Sequence, residues 1–340
     1  MELSKLGAFY GKSKPTNEES KGNVRHFMYC PFTGLGLYGG FRGNRWLKNR
    51  IKIFKQFVIP SLQAQTSKNF MLWVSWRPEE KRNPHVKELM AYLDEISEFK
   101  TVHTFTGLCF YDDKFPYKEA RDRLLQALHG ATNTELLEAT TGENGYEWVY
   151  MTIQPSDDCY HKQAVEFIQK SFQDVPNIQA MGFSKGYLMN YQSKAIAEWN
   201  PVNNPPFYTI KFPRPTFIDP MKHVAYTALK HDTEKYKKGT PLPSHEYVKD
   251  CLDYGIIDQR GFLVGTHGEN ISTVFNHPYR GADVSEETLK DFGLENVEPL
   301  HIKYSVRKRI LRALPQPAQR KIRYIFGEKL WNRVYNFLRN

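Results

Sequence analysis

Apolar positions along the chain switch between two spacings. Residues 24–30 (VRHFMYC) make an apolar run of strand length. Residues 45–65 then carry Trp46, Ile51, Phe54, Val58 and Leu62 at helical spacing, with Pro60 as a kink or boundary. Residues 70–76 (FMLWVSW) return to a strand pattern. This is a β-α-β unit, and its two strands are expected to run parallel. The alternation continues with a helix over 84–99, a strand over 101–105, a helix over 117–130 and, after the polar insertion TNTELLEATTGENG, a fourth strand over 147–153 (EWVYMTI). Strands alternating with helices in this way specify an α/β fold with a doubly wound, mainly parallel sheet. A further helix is expected over 161–172. Beyond 175 the alternation stops. Residues 178–188 and 191–199 read as a hairpin around Met189-Asn190, followed by the proline-rich PVNNPPFYTIKFPRPTFIDP, helices over 221–230 and 244–252, and a strand over 261–266. Residues 1–23 are polar and without period. The expected organisation is a loose leader (1–23), an α/β half (24–175), a second half that completes the site (176–302) and a C-terminal tail (303–340).

Length and charge refine this picture. A chain of 340 residues, 40% hydrophobic, can bury a large core. No apolar run reaches the roughly 18 residues that a membrane-spanning helix needs, and the first residues lack the continuous apolar segment of a signal peptide. The expected location is the cytoplasm. Cys30, Cys109, Cys159 and Cys251 are far apart and form no C-x-x-C pair, so buried free thiols are expected. The formal charge of +10 is confined to the tail: residues 303–340 hold 11 Lys and Arg against the single acid Glu328. A nucleic-acid-binding face would spread its charge through the fold, so nucleic acid is not expected as a partner. Within the tail, Ile322, Ile325 and Phe326, then Trp331, Val334, Tyr335 and Leu338, fall on one side of a helix among basic residues. Such a helix would lie in the plane of an anionic membrane surface, at the cytoplasmic face, or dock on the domain.

The densest chemistry follows the fourth strand, which breaks at Pro155 into Ser156-Asp157-Asp158. Ligands bind outside the carboxyl ends of strands in open α/β sheets, so two adjacent acids there are placed to hold a divalent cation against a phosphorylated ligand. The same three residues could instead cap the following helix, because Ser and Asp are preferred there. The glycine-rich GLGLYGGFRGN after Pro31 and Phe32 does not match a dinucleotide-binding fingerprint.

Several stretches resemble GT-A glycosyltransferases. A helix leading into IPSLQAQTSKNFMLWVSW is similar to the segment before the family's second sheet strand. Glu119 to Ala127 (EARDRLLQA) is similar to the helix before its metal-binding strand. Ser156-Asp157-Asp158 occupies the D-x-D-D position, with Pro155 where the first acid would stand. RGFLVGTHGENIST and FNHPYRG resemble the end of the putative rhamnosyltransferase group. The resemblance spans roughly residues 24–281. It implies a nucleotide-sugar donor, a glycan or lipid-linked acceptor and Mn2+ or Mg2+ as cofactor. Asp157, Asp158 and His267 would bind the metal. Arg121, Arg260, Arg280 and Asp157 would bind the donor together with Pro31 and Phe32, since guanidinium groups match phosphate oxygens. Glu246, in the first turn of a helix capped by Ser244, would be the base acting on the acceptor hydroxyl, with His245 as substitute. Trp199, Phe207, Tyr208, Phe212 and Phe217 could line an acceptor groove or pack a core. A different class stays open: a degenerate relative that binds an anionic membrane or nucleic acid through its tail.

Overall fold

The computed structural model describes residues 9–10, 24–33, 44–105, 146–227, 245–268, 270 and 284–302. Its centre is a ten-stranded mixed sheet in the order β1-β4-β3-β2-β5-β9-β7-β10-β6, with β8 beside β7. The strands are β1 (Phe9–Tyr10), β2 (Val24–Pro31), β3 (Met71–Ser75), β4 (Lys100–Thr104), β5 (Trp148–Ile153), β6 (Cys159–Tyr160), β7 (Ala180–Asn190), β8 (Ile196–Trp199), β9 (Tyr208–Pro213) and β10 (Tyr254–Thr266). β4, β3, β2 and β5 are mutually parallel, as are β7 and β10. β9 joins the two blocks by running antiparallel to both β5 and β7. The two halves expected from the sequence therefore share one sheet.

Alternation along the central strands divides the core. Met28, Cys30, Leu72 and Val74 point to one face, where α1 (Asn44–Ile53) and α3 (Pro84–Asp94) cover them with Leu47, Ile51, Val86 and Leu89. Phe27, Tyr29, Met71 and Trp73 point to the other, under Phe217 of α5 (Arg214–Ile218), which α6 (Pro220–Tyr226) follows, and Val248 of α7 (Val248–Cys251). Helices on both faces are the doubly wound arrangement that the pattern predicts. α1 runs through a π-helical turn (Phe54–Val58) into α2 (Ile59–Gln63). Here the Ile59 N–H bonds to the Phe54 carbonyl, five residues back. The wider turn accommodates Pro60, which has no N–H and whose ring would clash with the Gln56 carbonyl in a regular α turn. The expected proline boundary is thus a local change of winding inside one continuous rod.

Several boundaries differ from expectation. Part of the leader, Phe9–Tyr10, pairs with His103 and Val102 at the edge of β4. The proline-rich segment contains β9, an internal strand whose Phe212 and Ile210 are fully buried. Its prolines bracket the strand and leave the interior free to pair. The hairpin turns later than expected, at residues 191–195, with Lys194 in the left-handed region at φ 60°. Cys30, Cys159 and Cys251 are buried free thiols, as expected. The helix over 117–130, Cys109 and the tail 303–340 lie outside the described residues.

Three strands are cross-linked inside the core by side chains. His26 Nε2 meets Thr152 Oγ1 at 2.6 Å, and Thr152 Oγ1 meets Thr209 Oγ1 at 2.6 Å, so β2, β5 and β9 are tied in one line. Gln169 Nε2 donates toward His26 Nδ1 at 3.3 Å, which leaves the ring proton on Nε2.

Candidate active site

Strand order reverses between β2 and β5, because β3 and β4 lie on one side of β2 and β5 on the other. At such a switch point the loops leaving the carboxyl ends of the strands diverge and open a crevice. The loop after β5 begins there. Gln154 N–H still bonds to the Tyr29 carbonyl of β2 at 2.8 Å, but Pro155 has no N–H and ends the ladder. The Gln154 amide then closes the loop by donating to the carbonyls of Pro155 (2.8 Å) and Asp158 (2.9 Å). The chain returns as β6, antiparallel to β10, with Tyr160 opposite Phe262 and Cys159 opposite Leu263. Ser156-Asp157-Asp158 is therefore a strand-to-strand loop, and the helix-cap reading is corrected. α4 (Ala164–Asp174) starts later, behind Gln163, which makes no side-chain cap. Its early Val165 N–H is satisfied instead by Gln65 Oε1 at 3.1 Å, from the segment after α2.

This loop carries Asp157 and Asp158 to the end of β10, where His267 follows Thr266. The structure brings these three predicted residues together, and it adds a fourth that the sequence reading missed. Asp157 Oδ2 receives both the Arg50 guanidinium and His267 Nε2, the latter at 3.1 Å. Arg50 belongs to α1, is fully buried, and lies with its guanidinium carbon 5.2 Å from the centre of the Trp46 ring. Asp158 Oδ1 accepts the Gly265 N–H at 3.0 Å. Tyr191 holds the loop from behind: its hydroxyl donates to the Asp157 carbonyl at 3.0 Å, and its ring stacks on Phe57 with centroids 3.7 Å apart. Asn270 fixes the far side, accepting the His267 N–H at 2.9 Å and donating to the Gly265 carbonyl at 2.5 Å. Residues 284–302 close over this region, with the Leu300 N–H on the Tyr191 carbonyl and Gln56 Nε2 on the Glu298 carbonyl.

The two carboxylates differ electrostatically. Burial pushes Asp157 upward, but the Arg50 charge and the His267 hydrogen bond outweigh it and hold the group at about 2. Burial and the neighbouring Asp157 charge push Asp158 well above the ordinary carboxylate range, against the Gly265 N–H. One acid of the pair is thus a fixed anion with a resident counter-ion, and the other is held toward its neutral form.

These contacts bear on the expected metal. Among the described residues, no group of three or more His, Cys, Asp and Glu could hold a metal ion. Asp157 and His267 meet each other and Arg50 instead of facing a common centre. A divalent cation on the Asp157 carboxylate would also stand beside the guanidinium. A double and a single charge about 5 Å apart repel by roughly 7 kcal/mol at an effective dielectric near 20. The residues as arranged do not fit Mn2+ or Mg2+.

Other predicted residues are placed elsewhere. Phe32 is 3% exposed and packs against Phe54 and Trp76 at ring distances of 5.1 and 4.6 Å, so it is core and not a donor contact. Pro31 ends β2, paired with Ser75. Arg260 sits in mid-strand on β10, where it donates to the Gly186 carbonyl (3.0 Å), Asn200 Oδ1 (3.1 Å) and Glu198 Oε2 (2.6 Å). It fastens β8 to the sheet, about 20 Å of strand away from His267 at roughly 3.3 Å per residue. Phe207, Tyr208, Phe212 and Phe217 are buried in the core, and half-buried Trp199 stands edge-on to Phe262, so they form no groove. The expected helix over 244–252 is only Val248–Cys251, with Tyr247 as its cap residue. Glu246 therefore precedes the helix instead of lying in its first turn. It is exposed, on a turn where Asn204 Nδ2 donates to the His245 carbonyl at 2.9 Å. Burial lowers His245 below its ordinary value, with Glu246 pulling the other way. The helix beside this turn covers the sheet face opposite α1. Arg121 and Arg280 lie outside the described residues.

Gly265 is required by its surroundings. A Cβ there would stand 2.3 Å from the Tyr191 ring. Gly265→Ala is expected to cost about 1–3 kcal/mol, because it drives Tyr191 off Phe57 and shifts the N–H that holds Asp158. Urea unfolding of the variant beside wild type checks this, and a loss under about 0.5 kcal/mol would mean the loop can slide.

Comparison with known proteins adds a resemblance. Residues 42–209, just under half of the chain, match the family model described as "Putative rhamnosyl transferase". This span contains Arg50, Asp157 and Asp158. The chain resembles that family over this span. No curated protein matches it. Among solved structures, residues 1–349 of TarS from S. aureus align at 11% identity and a TM-score of 0.34, covering 72% of this chain and 60% of that one. The same protein in complex with UDP aligns at 12% identity and a TM-score of 0.33, covering 71% and 60%. HddC from Yersinia pseudotuberculosis aligns at 9% identity and a TM-score of 0.34, covering 71% of this chain and 92% of that one.

Proposed function

We propose that this chain is a glycosyltransferase that moves a sugar of the rhamnose type from a nucleotide-sugar donor to a hydroxyl of a glycan or lipid-linked acceptor. The observation that carries the reading is the coincidence of the family match with the switch point: the matched span contributes α1, β5 and the acid loop, the parts that frame the crevice. In the reaction the bond between the anomeric carbon and the diphosphate oxygen breaks, a bond from that carbon to the acceptor oxygen forms, and the acceptor proton passes to a base. The nucleoside diphosphate leaves. Within the chain, Asp157 and its partners hold the floor of the crevice rigid, so that donor and acceptor meet in one geometry.

Glu246 is the acid to which we assign the acceptor proton. Its support is its exposure on the turn before α7. Glu246→Gln should lower kcat at least about tenfold while leaving donor affinity unchanged. Loss of donor affinity in step with kcat would make the residue structural. The membrane reading of residues 303–340 stands as a proposal too: the full chain should sediment with vesicles containing anionic lipid and be released by high salt. The overall reading is tested by incubating the chain with a panel of nucleoside-diphosphate sugars, rhamnose donors included, and following release of the nucleoside diphosphate. No release from any donor, with or without Mn2+, would overturn it.

A further inference from the structure

We infer, on the transferase reading above, that the acid pair is not a divalent-cation site: Arg50 is a permanent cation seated on Asp157, and the chain binds its nucleoside diphosphate without Mn2+ or Mg2+. Four observations converge on this. Arg50 lies in the apolar stripe of α1, between Trp46 and Phe54 at four-residue spacing, and is fully buried. A guanidinium in such a position needs a carboxylate, and Asp157 meets it. The Oδ2 atom of Asp157 is shared between Arg50 and His267, so the oxygen that would face a cation already holds two donors. Asp158 Oδ1 is taken by the Gly265 N–H. The position two before Asp157 is Pro155, which has no ligating side chain.

The arrangement has a further consequence. If Asp157 turned toward a metal, Arg50 would lose its buried counter-ion just as a second positive charge arrived beside it. The pair is self-neutralising, and an exchangeable cation adds nothing that Arg50 does not already supply to Asp157. The charge of the leaving diphosphate is then met by fixed groups of the protein. Arg50 acts here as a positioning residue, through Asp157.

The test uses the full chain dialysed against EDTA. UDP, dTDP and GDP are titrated calorimetrically with EDTA present and again with Mn2+, and the six-line electron paramagnetic resonance signal of free Mn2+ is followed in parallel. The expected result is that at least one nucleotide binds with a Kd that agrees within about twofold between the two conditions. The wild-type protein, with that nucleotide bound, should leave the Mn2+ signal undiminished. Arg50→Gln should behave differently: with the resident cation gone, Asp157, Asp158 and His267 are free to take Mn2+, and the signal should fall. Nucleotide binding by wild type only when Mn2+ is present, with loss of the Mn2+ signal, overturns the inference. So does a folded Arg50→Gln protein that still leaves Mn2+ free, since Arg50 would then not be what keeps the cation out. Should Arg50→Gln fail to fold, the wild-type calorimetry and spectra decide alone. If no nucleotide binds with or without Mn2+, the transferase reading falls and this inference falls with it, a result distinct from metal-dependent binding.

Discussion

Arg50→Ala is expected to lower folding stability by about 3–5 kcal/mol, the usual cost of removing one partner from a buried ion pair. The cost does not measure the worth of the pair. It arises because Asp157, only 7% exposed, is left as a buried anion with His267 as its remaining described side-chain partner. Two features of α1 add to it: the Arg50 stem fills space between Trp46 and Phe54, and its guanidinium lies over the Trp46 ring. The double variant Arg50→Met with Asp157→Asn separates these contributions. Methionine restores the stem, and asparagine removes the orphaned charge while keeping an oxygen for His267. The double variant should therefore recover to within about 2 kcal/mol of wild type, since apolar replacement of a buried pair is often neutral or better. Urea unfolding at neutral pH, with the slope checked for constancy, reads out wild type, Arg50→Ala and the double variant. An Arg50→Ala protein within about 1 kcal/mol of wild type would show that Asp157 finds another cation or water, and the pair would lose its structural role.

Arg50 was missed, although the sequence carries a signal for it that is not a motif. A charged residue at four-residue spacing from both Trp46 and Phe54 breaks the apolar stripe of an amphipathic helix, and such a break signals a buried partner. The acid pair was legible for a different reason: a strand pattern ending at a proline and followed by acids places carboxylates at a sheet's carboxyl edge. His267 entered through resemblance, and the structure joins it to Asp157 as a hydrogen-bond partner. Tyr191 and Gly265 carried no local signal. Their pairing depends on the register of β7 against β10, where Gly265 stands opposite Met189 and Tyr191 turns back over it. The strand β9 was hidden by composition, since Pro205, Pro206, Pro213 and Pro215 suggest a loop while FYTIKF between them is a segment of strand length with Phe207, Tyr208, Ile210 and Phe212 as its apolar positions. Once that run is a central strand, its neighbouring aromatics must face the core on both sides, which is why they line no groove. The position of Glu246 on the face opposite α1 likewise follows from tertiary packing of α7, which local spacing does not encode.

The chain should lose stability steeply below about pH 6.5, and two core histidines are the reason. Burial lowers His26 and His103 from 6.5 to about 3, so each stays neutral in the folded state well into acid. Their hydrogen bonds enforce the same state. Gln169 donates toward Nδ1 of His26, and Trp76 Nε1 donates to Nδ1 of His103 at 3.0 Å, so neither nitrogen can take a proton without losing its partner. Between pH 6.5 and 3 the unfolded chain binds protons that the folded chain refuses, and stability falls as pH falls, by roughly 1.4 kcal/mol per unit for each histidine. The two together should remove about 3 kcal/mol between pH 6.5 and pH 5, a large part of the stability of an ordinary domain. Asp157 is silent in this window, because at about 2 folded and 3.8 unfolded it is ionised in both states. Asp158, held toward its neutral form, runs the other way and returns part of the loss. The quantity that isolates the histidines is therefore the difference in pH slope between wild type and His26→Gln or His103→Gln, each measured by urea unfolding at pH 7, 6 and 5. Each substitution should flatten the slope by about one proton. Slopes that coincide with wild type would mean that the rings titrate normally and that water reaches the β2–β5–β9 line of hydrogen bonds.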